Sequence, residues 1–224
     1  MPKSKPHSNR SLRLVSTDEA VLDPQALWMA EARDTAIAQG WAKALMGVAW
    51  VHLAFFAVAQ GLTWSFPLLR WPYPFLWMAE VVAILVLYRK VCGVGWIRAN
   101  ATTQLVARIW GTCLVLAFSL VTLNMRMGAE VIWWFKPAWC TLASFGFAIM
   151  SWLFSLWFLV PAFQMYFTAH LIVTFPEEGY LIHGLSWWLA LHLIALALVR
   201  SRAADASDEV VPDSPSEPLV RSAP

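Results

Sequence analysis

The chain has 224 residues, 59% of them hydrophobic and only 13% charged, with 15 Trp and 13 Phe and a mean hydropathy of +0.58. Water-soluble domains carry about a quarter charged residues, so this composition excludes a water-facing globule, and with it the disordered, collagenous and disulfide-stapled classes. A formal charge of +2, from 16 basic and 14 acidic residues, is too small and too scattered to form a nucleic-acid footprint.

The expected fold is therefore all-α: a polytopic transmembrane helical bundle solvated by the lipid bilayer. Residues 1–40 mix polar and charged types and lack a basic stretch followed by an apolar core, so the first apolar span reads as an uncleaved anchor. Residues 1–22, with Lys3, Lys5, Arg10 and Arg13 among Pro and Ser, read as a disordered basic arm. A helix start follows over residues 23–40. Asp23 can accept free amide bonds as N-cap, and Pro24 sits at the first helical position, where its missing N–H costs nothing. Leu27, Trp28, Ala30 and Ile37 interleave there with Glu31, Arg33 and Asp34, which suits an amphipathic helix at the membrane surface, and Gly40 ends it.

Residues 41–200 form the expected bundle. Crossing hydrocarbon takes about 20 helical residues, and six apolar segments follow at 41–60, 74–88 with flanks, 105–124, 137–158, 161–175 and 180–199. One helix over residues 137–175 would be about 58 Å long, nearly twice the bilayer core. Pro161 is read as the break, because it removes a backbone donor and clashes with the preceding turn. The segment 161–175 is short for a crossing, so five spans plus a re-entrant segment is the alternative. Residues 203–224, with Asp205, Asp208, Glu209, Asp213 and Glu217 among Ser and Pro, read as a disordered acidic tail.

Lys and Arg set orientation. Six spans put the N-terminal arm, Arg89, Lys90, Arg98, Arg200 and Arg202 on one side, and Arg70, Arg126 and Lys136 on the other. A multi-pass protein of the cell membrane with both termini cytoplasmic is expected. Trp41, Trp64, Trp71, Trp96, Trp133, Trp134, Trp187 and Trp188 fall near span ends, where indoles form an aromatic belt.

Ionisable residues at membrane depth are costly and so mark candidate sites. They are His52, Glu80, Arg108, His170 and His192. Arg108 and Lys43 lie near span starts and can snorkel to the interface. Glu80 lies deeper, with His52 and Arg108 as its expected partners if the first three spans are neighbours. Its role is structural, as a protonated hydrogen-bonding group or an ion-pair member, or functional, as a proton relay or substrate-binding group. His52 and His192 form a candidate haem or quinone pair across two spans; the sequence specifies no other cofactor. His170 and His183 are separated by Pro176 and Gly179 and do not share a helix, and His183 reads as an interfacial hydrogen-bonding residue.

Ser144, Gly146 and Ala148 offer small side chains for close helix packing. Cys92, Cys113 and Cys140 are isolated thiols, read as packing residues, with no Cys/His pair at zinc spacing and hence no metal site. Phe135, Pro137 and Trp139, followed by an apolar aromatic helix, resemble the Phe-x-Pro-x-Trp stretch of the tryptophan-rich sensory (translocator) proteins, which bind tetrapyrroles and sterols. The resemblance covers that one segment, and the other helices do not match, so no function is carried over. No phosphate loop, GxSxG, HExxH or internal repeat is present.

The leading functional expectation is a non-enzymatic structural, assembly or sensory module that contacts a protein partner through its arm or tail. A small transporter or proton-coupled carrier with a midplane site at Glu80 and His52 is the first alternative. A haem- or quinone-binding redox subunit using His52 and His192 is the second. An intramembrane enzyme ranks last, for want of a convergent nucleophile, base and oxyanion set.

Overall fold

Without water, a backbone N–H or C=O can only be satisfied within its own segment, so apolar stretches of this length resolve as helices. A computed structural model describes residues 24–66, 71–126 and 134–208. These residues hold seven α-helices and no strand: α1 Pro24–Ala38, α2 Trp41–Ser65, α3 Pro72–Cys92, α4 Ala101–Arg126, α5 Phe135–Leu153, α6 Leu159–Thr174 and α7 Gly179–Asp208. Among the described residues, four stretches are long and apolar enough to cross a membrane: Trp41–Ser65, Ala101–Arg126, Leu156–Thr174 and Gly179–Ser201. α3 and α5 fall outside that set. The basic arm, Asp23, Arg70, Trp133 and the chain beyond Asp208 lie outside the described residues.

Around the bundle the packed order is α3, α2, α7, α6, α5, α4. The α2–α7 pair is the backbone of the structure. Ala49 and Ala59 on α2 and Ala190 and Ala195 on α7 are fully buried, and Gly184 lets the Cβ of Phe56 approach to where a side chain would otherwise stand. Close approach of this kind drives association in lipid, where apolar burial alone gains nothing. Gln60 fastens the same pair near the α7 start: its Nε2 donates to the Glu177 carbonyl at 2.6 Å, and its Oε1 accepts from the Leu181 N–H at 3.2 Å.

The α5–α6 hairpin corrects one sequence expectation. Its break falls at Phe154 and Ser155, not at Pro161. Ser155 is extended (φ −156°, ψ 134°) and its hydroxyl accepts from the Trp157 N–H, opening a short 3-10 turn over Leu156–Phe158. Pro161 lies in the first turn of α6, where a missing N–H forfeits no helical bond. The proline therefore tolerates a helix start instead of breaking a helix.

α1 packs across one end of the bundle, against α2, α4 and α7. Gly40 makes the turn between α1 and α2 at φ +69°, a left-handed conformation that glycine adopts without steric cost. Thr102 donates to Glu31, and Asn100 donates to Thr35, tying α1 to the start of α4. At the other terminus α7 carries on to Asp208, six residues into the stretch assigned by composition to the tail; Ala203, Ala204 and Ala206 there are strong helix formers.

Candidate functional site

Helical periodicity gives most of the bundle helices an inward stripe at three- and four-residue spacing. On α2 it runs through Val48, His52 and Phe56; on α3 through Trp77, Glu80, Ile84 and Tyr88. Trp110, Cys113 and Ala117 continue it on α4, Trp139, Ala143 and Phe147 on α5, and His183, Trp187 and Leu191 on α7. These stripes enclose a cavity of about 610 Å³, crossed at one end by Arg33 and Ala36 of α1. That volume suits a ligand of drug size.

The end of the cavity away from α1 is closed by an aromatic floor. Phe56 and Trp77 have ring centroids 4.7 Å apart, and Trp77 meets Trp139 edge-on at 5.1 Å. Beneath them Tyr73 stacks on Tyr180 at 5.6 Å. Lys136 sits 4.3 Å over the Tyr180 ring and donates to the Pro176 carbonyl at 3.0 Å.

The cavity's polar centre is the pair expected from the sequence. His52 Nδ1 meets Glu80 Oε1, with Glu80 buried. The contact turns the Nδ1 edge of the imidazole towards the carboxylate and leaves Nε2 on the other side of the ring. His52 Nε2, the Trp77 indole nitrogen and Glu80 Oε1 are buried without a hydrogen-bond partner among the described residues, the last meeting Nδ1 as a charge contact. The His52 ring lies 4.3 Å from Phe56 and 5.8 Å from His183. His183 is itself buried, with its Nδ1 2.9 Å from Cys140 Sγ. It is therefore an interior residue that faces the cavity, and Cys140 is its partner.

The remaining sequence candidates lie elsewhere. Arg108 is exposed on α4, which packs against α5 and α1, not against α2 or α3, so the expected adjacency of the first three spans holds only for the first two. The α3–α4 connection contains two left-handed glycines, Gly93 and Gly95, and is long enough to carry α4 across the bundle. His170 is exposed, its ring 4.7 Å from Tyr166. His192 packs on Trp188 and Trp50, donates from Nδ1 to the Trp188 carbonyl at 2.8 Å, and does not line the cavity. The imidazole that faces His52 is that of His183, not His192. Ser144 donates to the Ala162 carbonyl at 2.8 Å across the α5–α6 hairpin, and Gly146 abuts Cys113 and Trp110 of α4. The Ala148 carbonyl accepts from Ser151.

Tryptophans divide into two populations. Trp64, Trp71 and Trp134 are exposed near helix ends, as a belt requires. Trp77, Trp110, Trp139 and Trp187 line the cavity instead, as do Trp41 and Trp157, and for Trp41 and Trp187 this replaces the expected belt position. Their signal in the sequence is a stripe: His183 and Trp187 are four apart, as are His52 and Phe56.

α3 and α4 line opposite flanks of the cavity without packing against each other as helices. Leu114 of α4 lines the cavity and is nevertheless 41% exposed, so the cavity wall is thin on the α4 side, between α3 and α4. Among the described residues no cluster of three metal-ligating side chains is present. The arm and tail, the expected partner surfaces, fall outside the described side chains. Comparison of the chain with protein-family models, with curated proteins and with solved structures finds no match in any of the three.

Proposed function

We propose that this chain is a six-span protein of the cell membrane, with both termini cytoplasmic, that acts as a small proton-coupled carrier with its site at Glu80 and His52. One observation carries the reading: an ionisable His52–Glu80 pair, midway along α2 and α3, with Glu80 buried and His52 partly so, faces a cavity of about 610 Å³. A carboxylate at such depth costs at least ~2.5–3.5 kcal/mol on insertion scales. Helix packing alone could have used an apolar pair there at no such cost. The span count is supported by length, since α3 and α5 are about 31 and 28 Å long at 1.5 Å per residue. Orientation is supported by Arg89, Lys90, Arg98 and Arg200 gathering at the α1 end, against Arg126 and Lys136 at the other.

The test is transport in liposomes under an imposed pH gradient, with Nile red, ethidium and anilinonaphthalene sulfonate as neutral, cationic and anionic probes. The wild-type chain should move at least one of them and dissipate the gradient as it does so, and Glu80→Gln should move none. Equal movement by both proteins refutes the site at Glu80, and no movement by the wild-type chain refutes the carrier. Cysteines placed at Glu178 and Asp205 in a cysteine-free background should label from opposite sides of the membrane; labelling from one side removes the six-span arrangement.

A further inference from the structure

We infer that the cavity takes a lipophilic monovalent organic cation and exchanges it for one proton held on His52. This rests on the carrier reading above and names its substrate class.

The argument begins with charge. Glu80 is the only acidic residue lining the cavity among the described residues. Arg33, the cationic residue there, belongs to α1 at the far end and has an interaction of its own. The titratable groups facing His52 are Glu80 on α3 and His183 on α7, the latter engaged with Cys140 of α5. Tyr88 on α3 and Cys113 on α4 line the same cavity, and Tyr180 lies in the floor beneath Phe56. With His52 protonated, the pair sums to zero charge.

An anion entering this space would have to lose its hydration beside a carboxylate, where the positive charge at that depth, on His52, is already neutralised by Glu80. A neutral ligand would leave the pair nothing to exchange. A cation is met by Glu80 and by the aromatic rings of Trp77, Trp110, Trp139, Phe147 and Trp187 that line the cavity, the side-chain type whose quadrupoles attract positive charge and that holds quaternary ammonium groups in aromatic cages. Its arrival raises the charge of a low-dielectric cavity to one unit unless a proton leaves. The proton that leaves is the one on His52 Nε2, which has no acceptor to hold it, while Nδ1–H stays on Glu80. One cation enters, one N–H bond breaks, one proton goes to water, and the site returns to zero charge. Access needs no polar channel, because the cavity wall between α3 and α4 is thin at Leu114.

The experiment titrates the purified full chain in detergent with tetraphenylphosphonium, with the isosteric anion tetraphenylborate and with neutral Nile red. Calorimetry in buffers of differing ionisation enthalpy counts protons. Tetraphenylphosphonium should bind and tetraphenylborate should not. About one proton should be released per cation, with affinity rising about tenfold per pH unit while His52 is protonated. Glu80→Gln should weaken the cation about 30-fold and retain Nile red, which shows that its cavity is intact. His52→Gln should bind the cation without proton release or pH dependence. Equal binding of the two tetraphenyl ions, or cation binding that releases no proton in the wild-type chain, overturns this inference and leaves a carrier of another substrate class. Failure of all three probes overturns both readings.

Discussion

Gly184 offers the sharpest test of the packing, because two effects of opposite sign meet there. An alanine Cβ at this position would stand 2.8 Å from the Phe56 Cβ and 3.5 Å from the Leu53 side chain. Ordinary carbon contacts lie at about 3.5–4.0 Å, so α2 and α7 must separate by about 1 Å. A Cβ has no rotamer with which to evade this. Overpacking of that kind costs about 1–3 kcal/mol, whereas replacing glycine by alanine within a helix gains about 0.8–1.0 kcal/mol in propensity. The net expectation for Gly184→Ala is a loss of up to about 2 kcal/mol. Gly111 on α4 is the control, since a Cβ there meets nothing within 4 Å; Gly111→Ala should keep the propensity gain. Reversible unfolding in mixed micelles, followed by helical circular dichroism, reads both. Phe56 packs against the rings of both His52 and His183, at 4.3 and 4.7 Å, so the displaced Phe56 should also perturb the imidazole resonances of both. If Gly184→Ala stabilises the protein as much as Gly111→Ala does, the close α2–α7 contact is refuted.

Four further substitutions separate local causes. Pro161→Ala should change stability by less than about 1 kcal/mol, because the first turn of α6 needs no N–H there, whereas Ser155→Ala should cost about 1 kcal/mol by removing the oxygen that accepts from Trp157; thermal unfolding of the two variants would give the reverse order if the break lay at Pro161. Thr102→Val removes the hydrogen bond to Glu31, so backbone amides of α1 should exchange up to about tenfold faster, in keeping with one lost hydrogen bond, while those of α2 stay unchanged. Leu114→Trp should narrow the flank between α3 and α4 and slow Nile red uptake at unchanged helicity, and an unaltered rate would put the opening elsewhere.

Much of this architecture is legible from residue patterns, and what is not has a physical reason. Helix existence follows from lipid solvation, and the turn at Gly40 and the start at Pro24 follow from backbone preferences that act over one or two residues. The His52–Glu80 contact is also legible, since an ionisable group at depth must find a polar partner, and α2 and α3 are joined by a short connection. Arg108 fails the same logic, because α4 is anchored to α1 by Thr102 and Asn100 and carried to the far flank. Nothing in the local pattern of residues 93–100 encodes that displacement. Pro161 misleads for a different reason: proline marks both helix breaks and helix starts, and only the extended Ser155 six residues earlier decides between them.

The tryptophans show where pattern reading stops. A Trp three or four residues from a helix end suits a headgroup belt, and the same residue suits an interior cage if its helix face is turned inward. Trp187 and Trp188 are adjacent in sequence, yet Trp187 lines the cavity with His52 at 5.5 Å while Trp188 packs on Trp50 and His192 away from it. Successive helical residues point about 100° apart, so one of such a pair can face a cavity while its neighbour faces another helix or the lipid, and hydropathy scores both alike. Gly184, whose missing side chain lets α2 lie close along one face of α7, sits beside His183 and three residues from Trp187, both of which pack near His52. Because Phe56 packs on both Gly184 and the His52 ring, a single added methyl group at Gly184 should be felt at an imidazole that it does not touch.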